Sequence, residues 1–459
     1  MSWKTIIEPF KIKTVEPLGF TTLPEREAVL REACYNIFAI PADKVLVDLL
    51  TDSGTSAMSA EQWACVMRGD ESYAGARSFF TFEAAVRRLT GYRHIMPVHQ
   101  GRAAERILFS VVGGPGKTIL SNSHFDTTRA NAEASGCVAL DLPAPGALDF
   151  DTPADFKGDI DLKALEDAIR RIGKQNIPMI VMTLTNNSLG GQPASMANLR
   201  ETSRIARHYG IPVIIDCARF AENAFFIKRR EPGFASRKVS DIAQEIFSYG
   251  SGAMMSSKKD AFANIGGFLA LNDPDWAKAA REILILGEGF PTYGGLAGRD
   301  LEAIARGLTE VLDEEYLTYR IRSIEYLAEG LRKAGVPIVE PPGGHAVYVN
   351  ARKFLPHIKP EGYPGQSLVC ELYRTAGIRA VEIGSLMFGK TENGKFVPAP
   401  MELVRLAIPR RVYTQSHIDF VIEVFADIAK RRDRLPPMRL IEGSQRLTHF
   451  TAKMMPEPV

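Results

Sequence analysis

Cysteine is scarce and unpatterned in this 459-residue chain: Cys34, Cys65, Cys137, Cys217 and Cys370 are odd in number, widely scattered and never spaced as Cys-x-x-Cys. That excludes a disulfide framework and a structural zinc site, and it fits a reducing cytoplasm. Long hydrophobic runs are missing too; none approaches the ~18 consecutive apolar residues of a membrane span. The start, MSWKTIIEPFKIKTVEP, breaks its apolar residues with Glu8, Pro9 and several lysines, so no secretory signal is expected. Nor does charge of one sign accumulate. The 56 basic and 54 acidic residues leave a net charge of +2 without a long basic run, which argues against nucleic acid as a partner. There is no internal repeat or low-complexity tract, and no Gly-x-Gly-x-x-Gly follows a first strand, so a dinucleotide enzyme is disfavoured.

What is present is a composition ordinary for a globular protein, 45% hydrophobic and 24% charged, at a length beyond that of one core. Two domains are expected. In the middle of the chain, residues 161–172 read as an amphipathic helix and 177–185 (IPMIVMTLT) as a buried strand. A glycine turn follows at Gly190-Gly191, then a helix over 196–208 and a second buried strand at 211–215 (IPVII). This β-α-β order predicts an α/β fold with a mostly parallel sheet between helices, and ligands at the carboxyl ends of the strands. After Leu301 the pattern turns to long helical stretches, 301–334, and then to an α+β part containing 346–349, 368–373 and 404–408. Residues 46–310 are expected to form the large domain. Residues 1–45, with a helix near 26–35, and 311–459 are expected to form the smaller one.

The chemistry-bearing residues follow that order. Asp216 stands at the end of the strand IPVII, where a carboxylate faces the crevice. In the run Ser256-Ser257-Lys258-Lys259-Asp260, two solvated lysines would be the ordinary reading, yet an apolar stretch precedes the run and a return strand at 268–271 follows it. Pro97 to Arg102 (PVHQGR) enters a helix starting near Ala103, where free backbone N–H groups, Gly101 and Arg102 suit a phosphate. Phe125, in His124-Phe125-Asp126, could wall a flat ring or be a plain core phenylalanine. An amine, an acid for a pyridine nitrogen, a phosphate cradle and a ring wall are the needs of pyridoxal phosphate, with Lys259 as the Schiff-base lysine.

Twelve segments in order carry a further resemblance: EPFKIK, LLTDSGT, RGDESYAG, HQGRAAE, HFDTT, GGQPASMAN, DCARFAENAFFIK, SSKKD, EGFPTYGGLAGRD, GGHAVYV, VRLAIPRRVYT and LTHFTAK. Nearly end to end, the chain resembles the tryptophanase and tyrosine phenol-lyase family, the β-eliminating lyases, of the aminotransferase-like fold type I. The resemblance implies Lys259 as the lysine that carries the cofactor and Asp216 as the partner of the pyridine nitrogen. It implies Arg219 and Asn187 near the ring oxygen, Phe125 on the ring face, and Gln100, Gly101, Arg102, Ser256 and Lys258 around the phosphate. Arg405 is implied at the substrate carboxylate, with Thr51, Ser53 and Asn187 at the substrate too, although a surface ion pair is the plainer reading of an arginine. A monovalent cation, usually potassium, is implied at Gly54, Glu71 and Asn264, and Glu71 alone would read as a surface charge.

Within that family, the phenol-lyase branch typically shows Thr-Thr-Thr after the stacking phenylalanine and an arginine two residues past a methionine. This chain has Asp126 and Ile383 at those places, and His449 where the phenol-lyases usually carry phenylalanine. The implied reaction is therefore elimination on L-tryptophan, giving indole, pyruvate and ammonium. Asp126 and His449 are set near the leaving group, and Tyr73 serves as proton donor or relay. Packing alone is the competing reading for His449 and Tyr73. Tyrosine cleavage and general cysteine or serine β-elimination are the alternative reactions. A homotetramer built from dimers, with Tyr73 entering a neighbour's active site, is implied as well.

Overall fold

The computed structural model describes residues 6–392, 394–444 and 447–458. The chain divides into two units, Ser53–Asp149 with Ala154–Tyr319, and Met1–Asp52 with Phe150–Pro153 and Arg320–Val459. Against the expected 46–310, the larger unit runs from 53 to 319 and leaves out 150–153, and two of these differences have a local reason. Val47 and Asp48 pair in parallel with Ile378 and Arg379, and the Phe150 carbonyl accepts the Glu340 N–H, so both segments join the smaller unit.

In the larger unit, apolar strands form one seven-stranded sheet. They are β1 (His94–Val98), β2 (Thr118–Ser121), β3 (Val138–Asp141), β4 (Ile180–Thr183), β5 (Val213–Asp216), β6 (Gly252–Ser256) and β7 (Gly267–Leu271), in the order β1-β7-β6-β5-β4-β2-β3. All neighbours are parallel except β7, which runs against both β1 and β6. The link from Ser257 to Gly266 is too short for a parallel crossover of a dozen or more residues, so the chain returns antiparallel. Apart from the edge strand β3, where Val138 is exposed, the strands are mostly buried on both faces, as their continuous apolar runs require.

The helices that matter to the site are α1 (Gly101–Val112), α2 (Asp126–Ala134), α3 (Leu162–Ile172), α4 (Met196–Tyr209) and α5 (Phe220–Arg230). α3 begins where Asp161 accepts the Ala164 N–H, and α4 where Ser195 accepts that of Asn198, both ordinary side-chain caps. Strand limits are tighter than the sequence implied. β4 spans 180–183 rather than 177–185, since Pro178 donates no ladder hydrogen bond and Thr185 is left-handed at φ 48°. β5 likewise starts after Pro212 and includes Asp216 as its last residue, instead of ending before it.

The smaller unit holds a three-stranded antiparallel sheet, Val381–Ile383 beside Leu403–Ala407 beside Ala346–Asn350, packed with the helices Pro364–Ala376 and Gln415–Ala429. Its first helix, Leu23–Glu32, ends earlier than expected because Cys34 and Tyr35 take positive φ. The stretch expected to be helical over 301–334 is two helices, Gly298–Glu310 and Glu314–Lys333. Among the described residues no helix is long and apolar enough to cross a membrane.

Candidate active site

Five strands of the larger unit deliver their carboxyl ends to one edge of its sheet, and the candidate residues sit there. α1 follows β1 after Gln100, and its first residue is Gly101 because nothing larger fits. A Cβ there would lie 2.8 Å from the Ser256 Cβ and 3.1 Å from the Ser256 nitrogen. Gly267 allows the same approach from below, since its Cβ would stand 2.3 Å from the Met255 carbonyl oxygen and 3.1 Å from the Gly101 nitrogen. Backbone N–H groups at a helix start, with the helix dipole behind them, attract anions. Arg102 and Lys258 add charge: burial, and then the nearby Arg102 guanidinium, lower the proton affinity of Lys258. An anion between them would relieve that repulsion. Ser257 offers a buried hydroxyl with no hydrogen-bond partner among the described residues, a donor the sequence reading passed over.

Beyond this cradle, the Lys259 amine lies 3.4 Å from the Ser53 hydroxyl. Asp216 is half-buried at the end of β5, and its withdrawal from water raises its proton affinity. The Ala218 N–H and the charges of Lys259 and Arg219 act in the other direction, which places all three within electrostatic reach of one carboxylate. A protonated pyridine nitrogen is the counter-charge that would stabilise such a carboxylate. The segment carrying Lys259 is held from both sides. Asp260 accepts N–H bonds from Ala221 and Glu222, and the left-handed Phe262 returns its N–H to the Lys259 carbonyl at 3.0 Å.

On the neighbouring strand ends, Phe125 precedes α2 and Asp126 is its first residue, 7% exposed, with one carboxylate oxygen accepting the Thr127 N–H at 2.6 Å. His124 is fixed by Asp141, which accepts its Nδ1–H at 2.6 Å and is itself paired with Arg129. Asn187 lies in the turn after β4, and Arg219 immediately precedes α5. The strained Thr185 between them is over-determined: its N–H reaches Asn223 at 3.0 Å and its hydroxyl the Arg219 carbonyl at 3.2 Å. Backbone strain of this kind collects at functional sites.

Of the cation candidates, Gly54 and Asn264 are together. The Asn264 side chain donates to the Gly54 carbonyl at 3.0 Å, and Gly54, at φ 78°, has no room for a Cβ. Glu71 is engaged elsewhere, accepting the Gly298 N–H at 3.2 Å beside Arg299. Among the described residues no group of three or more metal-ligating side chains occurs. Tyr73 is 73% exposed, its ring against Phe290 and Tyr293.

The remaining candidates belong to the smaller unit. Arg405 is not a surface ion pair; it is 8% exposed in the middle of a strand and donates to the Leu50 carbonyl at 2.8 Å, next to Thr51. Asp52 and Arg410 form a fully buried ion pair at 2.9 Å in the same neighbourhood. Ile383 is buried on the strand paired with Leu403, and His449 is 3% exposed, its ring tilted against that of Phe450 with Phe38 nearby.

Sequence reading gave no role to Glu105, Asp260 or Asn223, all buried and all bonding across elements. The usable signal was a charged or amide residue inside an apolar helix face or directly beside a candidate lysine.

Comparison with known proteins identifies the family and the fold. A model of the family described as "Beta-eliminating lyase" matches residues 48–424. The tryptophanase of Salinibacter ruber is 56% identical over 453 residues, covering 99% of this chain and 96% of that protein, and the tryptophanase of Hyphomonas neptunium is 56% identical over 451 residues, covering 98% and 99%. The tyrosine phenol-lyase of Symbiobacterium thermophilum is 46% identical over 450 residues, covering 98% of each. Among solved structures, the serine palmitoyltransferase of Sphingomonas wittichii superposes with a TM-score of 0.59 at 16% identity, covering 90% of this chain and 98% of that one. The threonine aldolase of Leishmania major does so with 0.59 at 14%, covering 83% and 99%. These last two carry the fold alone.

Proposed function

This chain belongs to the β-eliminating lyase family and is a pyridoxal phosphate-dependent lyase of fold type I; on that premise we propose that it cleaves L-tryptophan with water into indole, pyruvate and ammonium. The observation that carries the choice of substrate is Asp126, a buried carboxylate directly after Phe125 at the start of α2.

Expelling indole requires a proton at its C3, which leaves positive charge on the ring nitrogen, and a fixed carboxylate stabilises that charge. Ile383 supports the same reading, since a buried isoleucine offers nothing to a phenol hydroxyl. His449, packed on Phe450 and Phe38, orients the leaving group, and Tyr73 moves the proton to it. When bound, the cofactor supplies an electron sink for charge developing at the substrate α-carbon.

Gly101, with Ser256, Gln100, Arg102 and Lys258, holds the phosphate, and Phe125 walls the ring. Asp216 keeps the pyridine nitrogen protonated, while Asn187 and Arg219 donate toward the ring oxygen. The Lys259 amine carries the cofactor and, once free, accepts the α-proton; Ser53 is within reach to orient it. Arg405 and Thr51 bind the substrate carboxylate, a task suited to the planar guanidinium. A monovalent cation, potassium by preference, is assigned to Gly54, Asn264 and Glu71, supported by the Gly54 and Asn264 contact. We assign the working form to a cytoplasmic homotetramer of two dimers with shared active sites, to which the exposure of Tyr73 is suited.

The deciding experiment measures indole from tryptophan and phenol from tyrosine with the purified holoenzyme. Faster release of phenol would overturn the substrate assignment in favour of the phenol-lyase reaction, and turnover of S-alkyl cysteines alone in favour of general β-elimination.

A further inference from the structure

Glu105 lies one helical turn beyond Gly101, on the face of α1 turned into the protein. Both of its carboxylate oxygens are taken by α2. The Thr128 hydroxyl donates to Oε1 at 2.7 Å and the Asn131 amide to Oε2 at 3.0 Å. Thr128 and Asn131 are three residues apart and so share one face of α2, whose first residue is Asp126 and which Phe125 precedes. Glu105 therefore grips two points on the helix that presents the ring wall and the leaving-group carboxylate. It does so from the helix whose start forms the anion cradle.

A carboxylate is an expensive choice for a buried fastener, yet its two oxygens accept from both donors at once, where a side-chain amide offers a single acceptor oxygen. Burial pushes the Glu105 carboxyl up to about 7, its three α2 neighbours Thr127, Thr128 and Asn131 pull it back, and the charge facing it is that of Asp216 from β5. Two acids thus stand within electrostatic reach of each other, one bonding α2 and the other assigned to the pyridine nitrogen.

We propose that Glu105 is a positioning residue of the cofactor site: it fixes Phe125 and Asp126 against the phosphate helix and supplies negative potential behind Asp216 that favours a protonated pyridine nitrogen. The proposal rests on the cofactor assignment above. It predicts two separable effects. Removing the side chain loosens α2, whereas removing only the charge leaves α2 in place and changes the electrostatics of the ring.

The test compares E105A, E105Q and T128V with the unaltered protein, titrating each apoprotein with pyridoxal phosphate and then following the visible band of the holoenzyme against pH. E105A is expected to bind the cofactor about tenfold more weakly, as is usual for losing two buried hydrogen bonds to a charged group. E105Q keeps an acceptor oxygen for Thr128, and its amide can donate to Asn131 once that side-chain amide turns over, so it should bind within about threefold of the unaltered protein, yet its band should titrate at a shifted pH. T128V should weaken binding without moving that midpoint. An E105Q protein that binds the cofactor normally and titrates like the unaltered protein would overturn the proposal, even if E105A failed to fold. Failure of the unaltered apoprotein to bind pyridoxal phosphate at all would instead overturn the cofactor assignment on which it rests.

Discussion

Asp260 accepts the backbone N–H of Ala221 at 2.8 Å, so the residue following Lys259 closes the start of the helix that Arg219 precedes. α5 has no side-chain cap of its own at Arg219. Its free donors are satisfied from a loop far along the chain, and two groups assigned above to the cofactor are thereby linked through one carboxylate.

Replacing that carboxylate separates its two tasks. D260A should cost about 1–2 kcal/mol in urea unfolding and also lower cofactor occupancy of the purified protein, because both Lys259 and Arg219 lose their anchor. D260N keeps an acceptor oxygen and should recover most of the occupancy. Absorbance of the purified proteins at equal concentration checks this directly.

The cradle makes a steric prediction. G101A brings a methyl group to 2.8 Å from the Ser256 Cβ, so the α1 start and the end of β6 must separate. Cofactor affinity should fall by roughly tenfold or more while the far-ultraviolet circular dichroism stays the same, since the change lies at an element boundary. Equilibrium titration of the apoprotein is the measurement.

Stability should depend on pH through an acid pair in the smaller unit. Glu382 is pushed up to about 8, first by burial and then by Glu402, whereas its ordinary value is 4.5. Tyr363, Glu361 and Arg352 are the other ionisable groups around the pair. A raised carboxyl holds its proton in the folded chain through a window in which the unfolded chain has released it. Stability from this group is therefore lost as pH rises from about 4.5 toward about 8. E382Q should flatten the decline of the urea midpoint over that range, and an unchanged slope would show that Glu382 does not titrate there.

A fourth expectation concerns Asp52 and Arg410, both entirely buried. D52A leaves the arginine charge without its carboxylate and should cost about 3–5 kcal/mol, well above a surface pair. D52N should cost less, since a neutral acceptor remains. Denaturant midpoints of the three proteins decide the order.

Much of the fold could be read directly from residue pattern. α3 and α4 announced themselves by their periodicity, and Asp216 and the Lys259 run by their places near strand ends. Strand limits were overestimated wherever apolar composition outlasted backbone compatibility, as at Pro178 and Thr185. The roles proposed for Asn187 and the cation residues rest on family resemblance, since nothing in their spacing pointed to them, whereas Arg405 also stood out as a charge among the apolar Leu403, Val404, Leu406 and Ile408. Asp260, Asn223 and Glu105 were illegible for a different reason. Their partners, Ala221, Thr185 and Thr128, are remote in sequence or lie on another element, so only the folded chain reveals the bond.

The sheet order has a last implication, for how the protein is made. The groups assigned to pyridoxal phosphate run from Gln100 to Lys259 and converge only when β1, β7 and β6 lie side by side, with β7 closing against a strand formed far earlier in synthesis. Contacts between such distant segments form slowly and late. A chain that ends before Gly267 lacks the strand between β1 and β6, so loading with the prosthetic group is expected only after β7 has been made. Yellow colour would accordingly serve as a clock for folding as well as a sign of loading.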